Sequence, residues 1–232
     1  MRRWLVLLVF CFSGSIAWGG GAPIESPLLT FSAGVLSPVE RGGDARLGNH
    51  IGIVDDGYDA LALRVHLIRA AWRSIDVQTF ILENDACGRL LMYELIEAAK
   101  RGVKVRLLAD HFMSSREPLW TAQLATAHEN FELRYYRPPA RQIRPNPVFV
   151  AITGVLFFRG SNQRMHNKVI VVDETVAVMG GRNMDNHYFN HSTSYNFIDR
   201  DIIVAGPALP KIQASFEQFW KYRKSKRAEK LT

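Results

Sequence analysis

From Ile51 onward the chain alternates short apolar, β-branched runs with stretches that carry apolar residues at helical spacing. That alternation restricts it more than any other feature, because strands that alternate with helices pack as a layered α/β fold. The spacing of Leu61, Val65, Ile68, Ala71 and Trp72 predicts a helix over Asp59 to Trp72. A strand follows from Ile75 to Leu82. A second helix runs from Gly88 to Arg101, with Gly102 where a helix C-cap favours glycine. Val103 to Ala109 reads as a buried strand ending in Asp110 and His111, and Phe131 to Tyr135 as another. Val169 to Val172, Val176 to Met179 and Ile202 to Val204 complete the strands, and Leu209 to Tyr222 closes the domain as a helix. The expected architecture is a sheet of mostly parallel or mixed strands flanked by helices. Its site should lie where loops leave the carboxyl ends of strands.

The flanks read differently. Arg2 and Arg3 precede an apolar run from Trp4 to Phe12, and Ser13 to Ala17 then supplies small residues. Residues 1–18 therefore read as a signal peptide or an N-terminal anchor, the run being short of the roughly 20 residues a span needs. Cleavage near Ala17 removes Cys11 and leaves Cys87 alone, so no internal disulfide and no cysteine-based metal site is expected. Residues 19–49 are rich in Gly, Pro and Ser and read as an extended arm. The domain itself is expected over 50–222. Residues 223–232 form a strongly basic tail, read first as solvated and otherwise as a dock for anionic lipid or nucleic acid. A net charge of +7 favours anionic partners without choosing among them.

The chemistry concentrates in one constellation. His166 and Lys168 stand two apart at the head of an apolar strand, so they share a side. Asp173 follows after four residues, and Gly180-Gly181-Arg182-Asn183 after six more. A nucleophile beside a fixed cation, with an amide donor returned by a glycine turn, suits attack on a phosphodiester. His166 is the candidate nucleophile, attacking phosphorus through a ring nitrogen. Lys168 and Asn183 are placed to neutralise the non-bridging oxygens. Gly180 and Gly181 allow the turn. Asp173 should face away from His166 and serve the turn into Glu174 and Thr175. Arg182 has two open readings, a phosphate contact or a solvent-facing side chain. No carboxylate cluster has metal spacing, so no metal and no cofactor is expected. Asp185, His187 and His191 are the weak exception, and His50, His66 and His128 carry no local constellation.

This pattern resembles the His-Lys-Asp signature of the phospholipase D superfamily, in its bacterial cardiolipin-synthase-like branch. The resemblance extends to Asp76-Val77-Gln78-Thr79-Phe80, Gly88 to Leu91, Arg101 to Leu108, Arg164 to Lys168 and Ala205-Gly206-Pro207, covering about Ile51 to Trp220. It implies a phosphatidyl-transfer or phospholipid-hydrolysis chemistry through a covalent phosphohistidine, on a phospholipid substrate at a membrane surface. It also implies export to the periplasm or inner membrane of a bacterium. Asp199 falls where the family carries an acidic residue and is the candidate to orient the imidazole, with Asp201 in reserve. Position 111 departs from the acidic or small residue the family often has.

A larger departure concerns number. Members of that branch carry two motifs whose histidines share one site, whereas these residues hold a single His-x-Lys-x4-Asp. Three readings follow: a homodimer whose copies complete the site, a separately encoded second lobe, or an inactive phosphate-binding remnant. An exported homodimeric nuclease is the alternative to a lipid enzyme, although aromatic and basic residues do not interleave along a strand-binding groove and nucleic acid is the lesser expectation. The run from Val148 to Phe158 separates the two substrates. Exposed next to the site, it supports lipid; packed as a loop and helix beside the site and buried, which is the blander expectation, it removes that support.

Overall fold

Local chemistry starts and stops each element. The computed structural model describes Ser26, Leu28 and residues 48–115, 117–140, 142–156 and 163–231. The leader expected over 1–18 lies outside the described residues, as does nearly all of the arm. Of the described arm residues, Ser26 and Leu28 are buried and Gly48 and Asn49 are exposed.

Strand β1 (His50–Val54) leads to helix α1 (Gly57–Ala70), whose N-cap Asp56 accepts hydrogen bonds from the Tyr58 and Asp59 amides. Strand β2 (Ser74–Thr79) is followed by α2 (Ala86–Lys100), capped by the Asp85 carboxylate on the Gly88 amide. Gly102 then takes a φ of 96°, the left-handed conformation that ends the helix. Strand β3 (Lys104–Asp110), helix α3 (Pro118–Ala125), strand β4 (Phe131–Tyr136) and helix α4 (Pro147–Leu156) come next. Strands β5 (Val169–Val172), β6 (Val176–Gly180) and β7 (Asp201–Ala205) precede helix α5 (Leu209–Trp220) and strand β8 (Ser225–Arg227).

All eight strands form one sheet in the order β1-β7-β6-β5-β2-β3-β4-β8. Only β2-β3 and β3-β4 pair in parallel, so the sheet is mixed, with its parallel part at three adjacent strands. Strand alternation sorts the side chains onto two faces. Ile75, Val77, Val105, Leu107, Leu133, Ile170, Val172 and Val178 face α1, α2 and α3 in the main core. The other face carries Val169, Val171, Ala177 and Val204 against Leu209, and Leu108 against Phe216 and Trp220 of α5. Arg106 bridges that second face, pairing with Asp76 and Glu217 at 2.6 Å each while its guanidinium stacks on Phe216.

Two expectations change, and two elements are added. The basic stretch from residue 223 is not a solvated tail over its described length. β8 pairs antiparallel with β4, and Leu231 is buried behind it. The apolar run after Pro147 is helical over α4, and its Val148, Ile152 and Leu156 lie outside the core, 66%, 54% and 69% exposed. Residues 157 and 158 lie outside the described residues. β1 and α3 were not foreseen at all.

Asp173 shows why β5 and β6 turn where they do. Asp173 and Glu174 both take positive φ, 51° and 57°, in the three-residue turn that joins β5 to β6. The Asp173 carboxylate accepts the amides of Trp72, Arg73 and Ser74 at 2.8 to 3.0 Å, and the Ser26 hydroxyl as well. It therefore fastens two turns together, the hairpin and the entry to β2, at the far end of β5 from His166. Asp173→Ala leaves three amides unpaired, for an expected loss of about 3 kcal/mol. Urea denaturation reads the loss, and a variant as stable as the parent contradicts this role.

Candidate active site

Antiparallel pairing of β5 with β2 and β6 collects the chemistry at one end of the sheet. There the carboxyl ends of β1, β2, β3 and β6 meet the amino ends of β5 and β7. Residues 55, 80, 110, 166–168, 180–183 and 199–201 all enter or leave strands at this edge.

His166 sits just before β5 and is exposed. Its ring packs on Phe80, with centroids 4.6 Å apart and planes at 59°. Lys168 is nearly buried at 8% exposure, and its Nζ donates to the His166 carbonyl at 2.7 Å. The same ammonium lies 5.1 Å from the Phe80 ring centroid, so one aromatic surface supports both residues. Burial pushes the Lys168 pKa below its ordinary value, and the Asp199 charge opposes that shift. The His166 pKa is lowered first by burial and then by the Lys168 charge, which favours the neutral imidazole a nucleophile needs.

Asn183 is buried, and its Oδ1 accepts the Ile81 amide at 3.1 Å. That bond fixes the amide orientation and leaves its NH2 donors as the end that can meet an anionic oxygen.

The glycines serve space more than turn conformation. Neither Gly180 nor Gly181 has a positive φ, and Gly180 is the last residue of β6. A Cβ on Gly181 would overlap the Asp199 carboxylate, and one on Gly180 would overlap Asp201. The pair lets two carboxylates approach the backbone.

Asp199 and Asp201 do not orient the imidazole within the chain. Among the described residues no hydrogen bond joins the His166 ring to either carboxylate. Asp199 is turned over Gly181, where its Oδ1 accepts the Arg200 amide at 2.7 Å and its charge acts on Lys168. Asp201 is fully buried and bound to Arg64 at 2.9 Å and Arg182 at 3.3 Å, which removes it as a reserve.

Neither open reading of Arg182 holds. Its side chain is buried, donating to the carbonyls of Val54, Asp55, Tyr188 and Asp199 and pairing with Asp201. It is a clamp behind the site, with its hydrogen-bonding capacity largely spent. His187 is likewise engaged, Nδ1 to Asp185 at 2.7 Å, and no group of three metal-ligating side chains is assembled among the described residues.

Two contributors were given no role from sequence. Phe80 forms the aromatic support, its position following from the strand β2 that it extends. Asp110, fully buried, accepts the amides of Met165 and Phe112 and an Arg164 guanidinium at 3.0 to 3.3 Å, holding the segment that delivers His166. Its place at the carboxyl end of a strand was the available signal. His111 beside it is buried edge-on to Tyr135 and belongs to the core side.

Residues 65–220 match the family model described as cardiolipin synthase, PLD-like domain. The chain belongs to that family. It is 32% identical over 237 residues to an uncharacterized protein of Helicobacter pylori, covering 97% of this chain and 45% of that one. It is 35% identical over 170 residues to cardiolipin synthase C of Escherichia coli, covering 72% of this chain and 34% of that enzyme. The chain thus spans less than half the length of these relatives. In fold it resembles Nuc of Salmonella typhimurium, a phospholipase D family member (TM-score 0.51, 17% identity, 78% of this chain and 97% of Nuc). It also resembles phosphatidylserine synthase of Haemophilus influenzae (TM-score 0.58, 16% identity, 77% of this chain and 39% of the synthase).

Proposed function

We propose that this PLD-like lobe supplies half of a phosphodiesterase or phosphatidyltransferase site for phospholipids. The observation that carries the reading is the exposed, deprotonation-favoured His166 on Phe80, with the Lys168 cation and the Asn183 amide at the same strand ends. His166 attacks phosphorus as the bond to the leaving alcohol breaks, forming a phosphohistidine. Water or a second alcohol then attacks phosphorus, and the P–N bond breaks to restore the imidazole. Lys168 and Asn183 offset charge on the non-bridging oxygens throughout.

Both steps need a second proton carrier, which protonates the leaving oxygen and then deprotonates the acceptor. Among the described residues no acid stands beside His166, so a second His166 from another copy, or a separate lobe, supplies it. The exposed apolar stripe of α4 favours lipid over nucleic acid. A nuclease draws support from the net charge of +7 and the fold shared with Nuc. The test is the solution mass of the purified protein with turnover of phosphatidylglycerol and single-stranded DNA, in chelator. An active dimer cleaving lipid supports the reading. Cleavage of DNA alone, or chelator sensitivity, overturns it, and an inactive monomer points to a separate lobe.

The pH profile has a definite sign. Neutral His166 is required and its pKa is lowered, so kcat/KM falls on the acid side only below the ordinary 6.5. The second proton carrier must be protonated as the leaving oxygen departs, so where it is another His166 the alkaline fall begins in the imidazole range, before the lowered Lys168 pKa is reached. An acid limb above 6.5 would contradict the His166 assignment.

A further inference from the structure

Helix α4 lies in the segment that joins β4 to His166, and it contains no charged residue. Val148, Ile152 and Leu156 recur at every fourth position, so the three exposed side chains form one stripe. At about 15 Å the helix is half the length of a bilayer's hydrocarbon core and cannot span it. Such a helix can lie in the headgroup boundary instead.

A second feature meets it from the other end of the sequence. The chain leaving β4 is tied to the C-terminal run at two points, the Arg137 amide on the Lys224 carbonyl at 3.0 Å and the Ile143 amide on the Leu231 carbonyl at 2.8 Å. That run and the loop before α4 expose Arg144, Arg223, Lys224, Lys226 and Lys230. None of the five has a carboxylate partner among the described residues. The fold therefore sets a basic edge at the foot of an uncharged helix whose Val148, Ile152 and Leu156 are exposed.

We propose that α4 and this basic edge form a docking surface for an anionic phospholipid bilayer, the stripe entering the boundary and the cations meeting headgroup phosphates. The inference deepens the proposed lipid reading by assigning how the chain reaches its substrate. Charge selects the occupant. A second copy docked here about a two-fold axis brings the same cations together, which opposes association. Nucleic acid would use the cations and leave the stripe in water.

The test is co-sedimentation of the full chain with phosphatidylcholine vesicles, with and without phosphatidylglycerol, beside sedimentation velocity without lipid. Val148→Ser/Ile152→Ser and Lys224→Glu/Lys226→Glu/Lys230→Glu are compared with the parent. Binding should require phosphatidylglycerol, weaken with salt, and fall about tenfold or more in each variant. Turnover of a soluble phosphodiester should not change. Unaltered vesicle binding in the serine variant overturns the proposal, as does a fall in its oligomeric mass, which would place a second copy on the stripe. So does single-stranded DNA binding that depends on all five substituted positions. Bound vesicles without lipid turnover would leave the docking surface standing and assign turnover to a site that this chain alone does not complete.

Discussion

His166→Ala should abolish turnover, lowering the rate by on the order of 10⁴-fold or more, because it removes the imidazole that forms the bond to phosphorus. The fold should survive, since the ring is exposed and its packing is against Phe80. His166→Asn keeps the size of the side chain but should yield no phosphoenzyme when the reaction is quenched in alkali, where a P–N bond persists. Lys168→Met separates the next contribution. It removes the cation while retaining the buried stem, for a loss on the order of 10²-fold with little change in KM. Circular dichroism and single-turnover kinetics distinguish chemistry from folding. Full turnover in either His166 variant would return the constellation to a binding role.

What could be read in advance was local. Val169-Ile170-Val171-Val172 is continuously apolar and is buried on both faces. Gly102 stops α2 through its own backbone preference, and the His-x-Lys spacing brings both side chains to Phe80. What could not be read depends on distant partners. Pro118 at the head of the eight-residue α3 is a helix-start signal too brief to carry a period. β8 is three residues, two of them charged, that become a strand only because β4 offers an edge. The composition of α4 is that of a core helix, and nothing in it reveals that its outer stripe lacks a neighbour. Asp199 and Asp201 look equivalent as i and i+2. The start of β7 at Asp201 decides that one is buried against two arginines and the other turns over Gly181.

That burial underlies the largest expected stability effect. Asp201 is fully buried with Arg64 and Arg182, one carboxylate facing two guanidinium groups. Burial pulls the Arg64 pKa down and Asp201 opposes it, which marks the carboxylate as what keeps the cation tolerable inside the protein. Asp201→Asn leaves two buried positive charges facing each other, for an expected loss of about 3–5 kcal/mol and a Tm lower by roughly 10 °C. Removing Arg64 as well relieves the conflict, so Arg64→Met/Asp201→Asn should be more stable than Asp201→Asn alone. Activity should follow, because Arg182 ties the carbonyls of Val54, Asp55, Tyr188 and Asp199 behind Asn183. Calorimetry on the single and double variants is decisive. If the double variant is the less stable of the two, the triad acts as a net attraction and the uncompensated charge is not what Asp201 prevents.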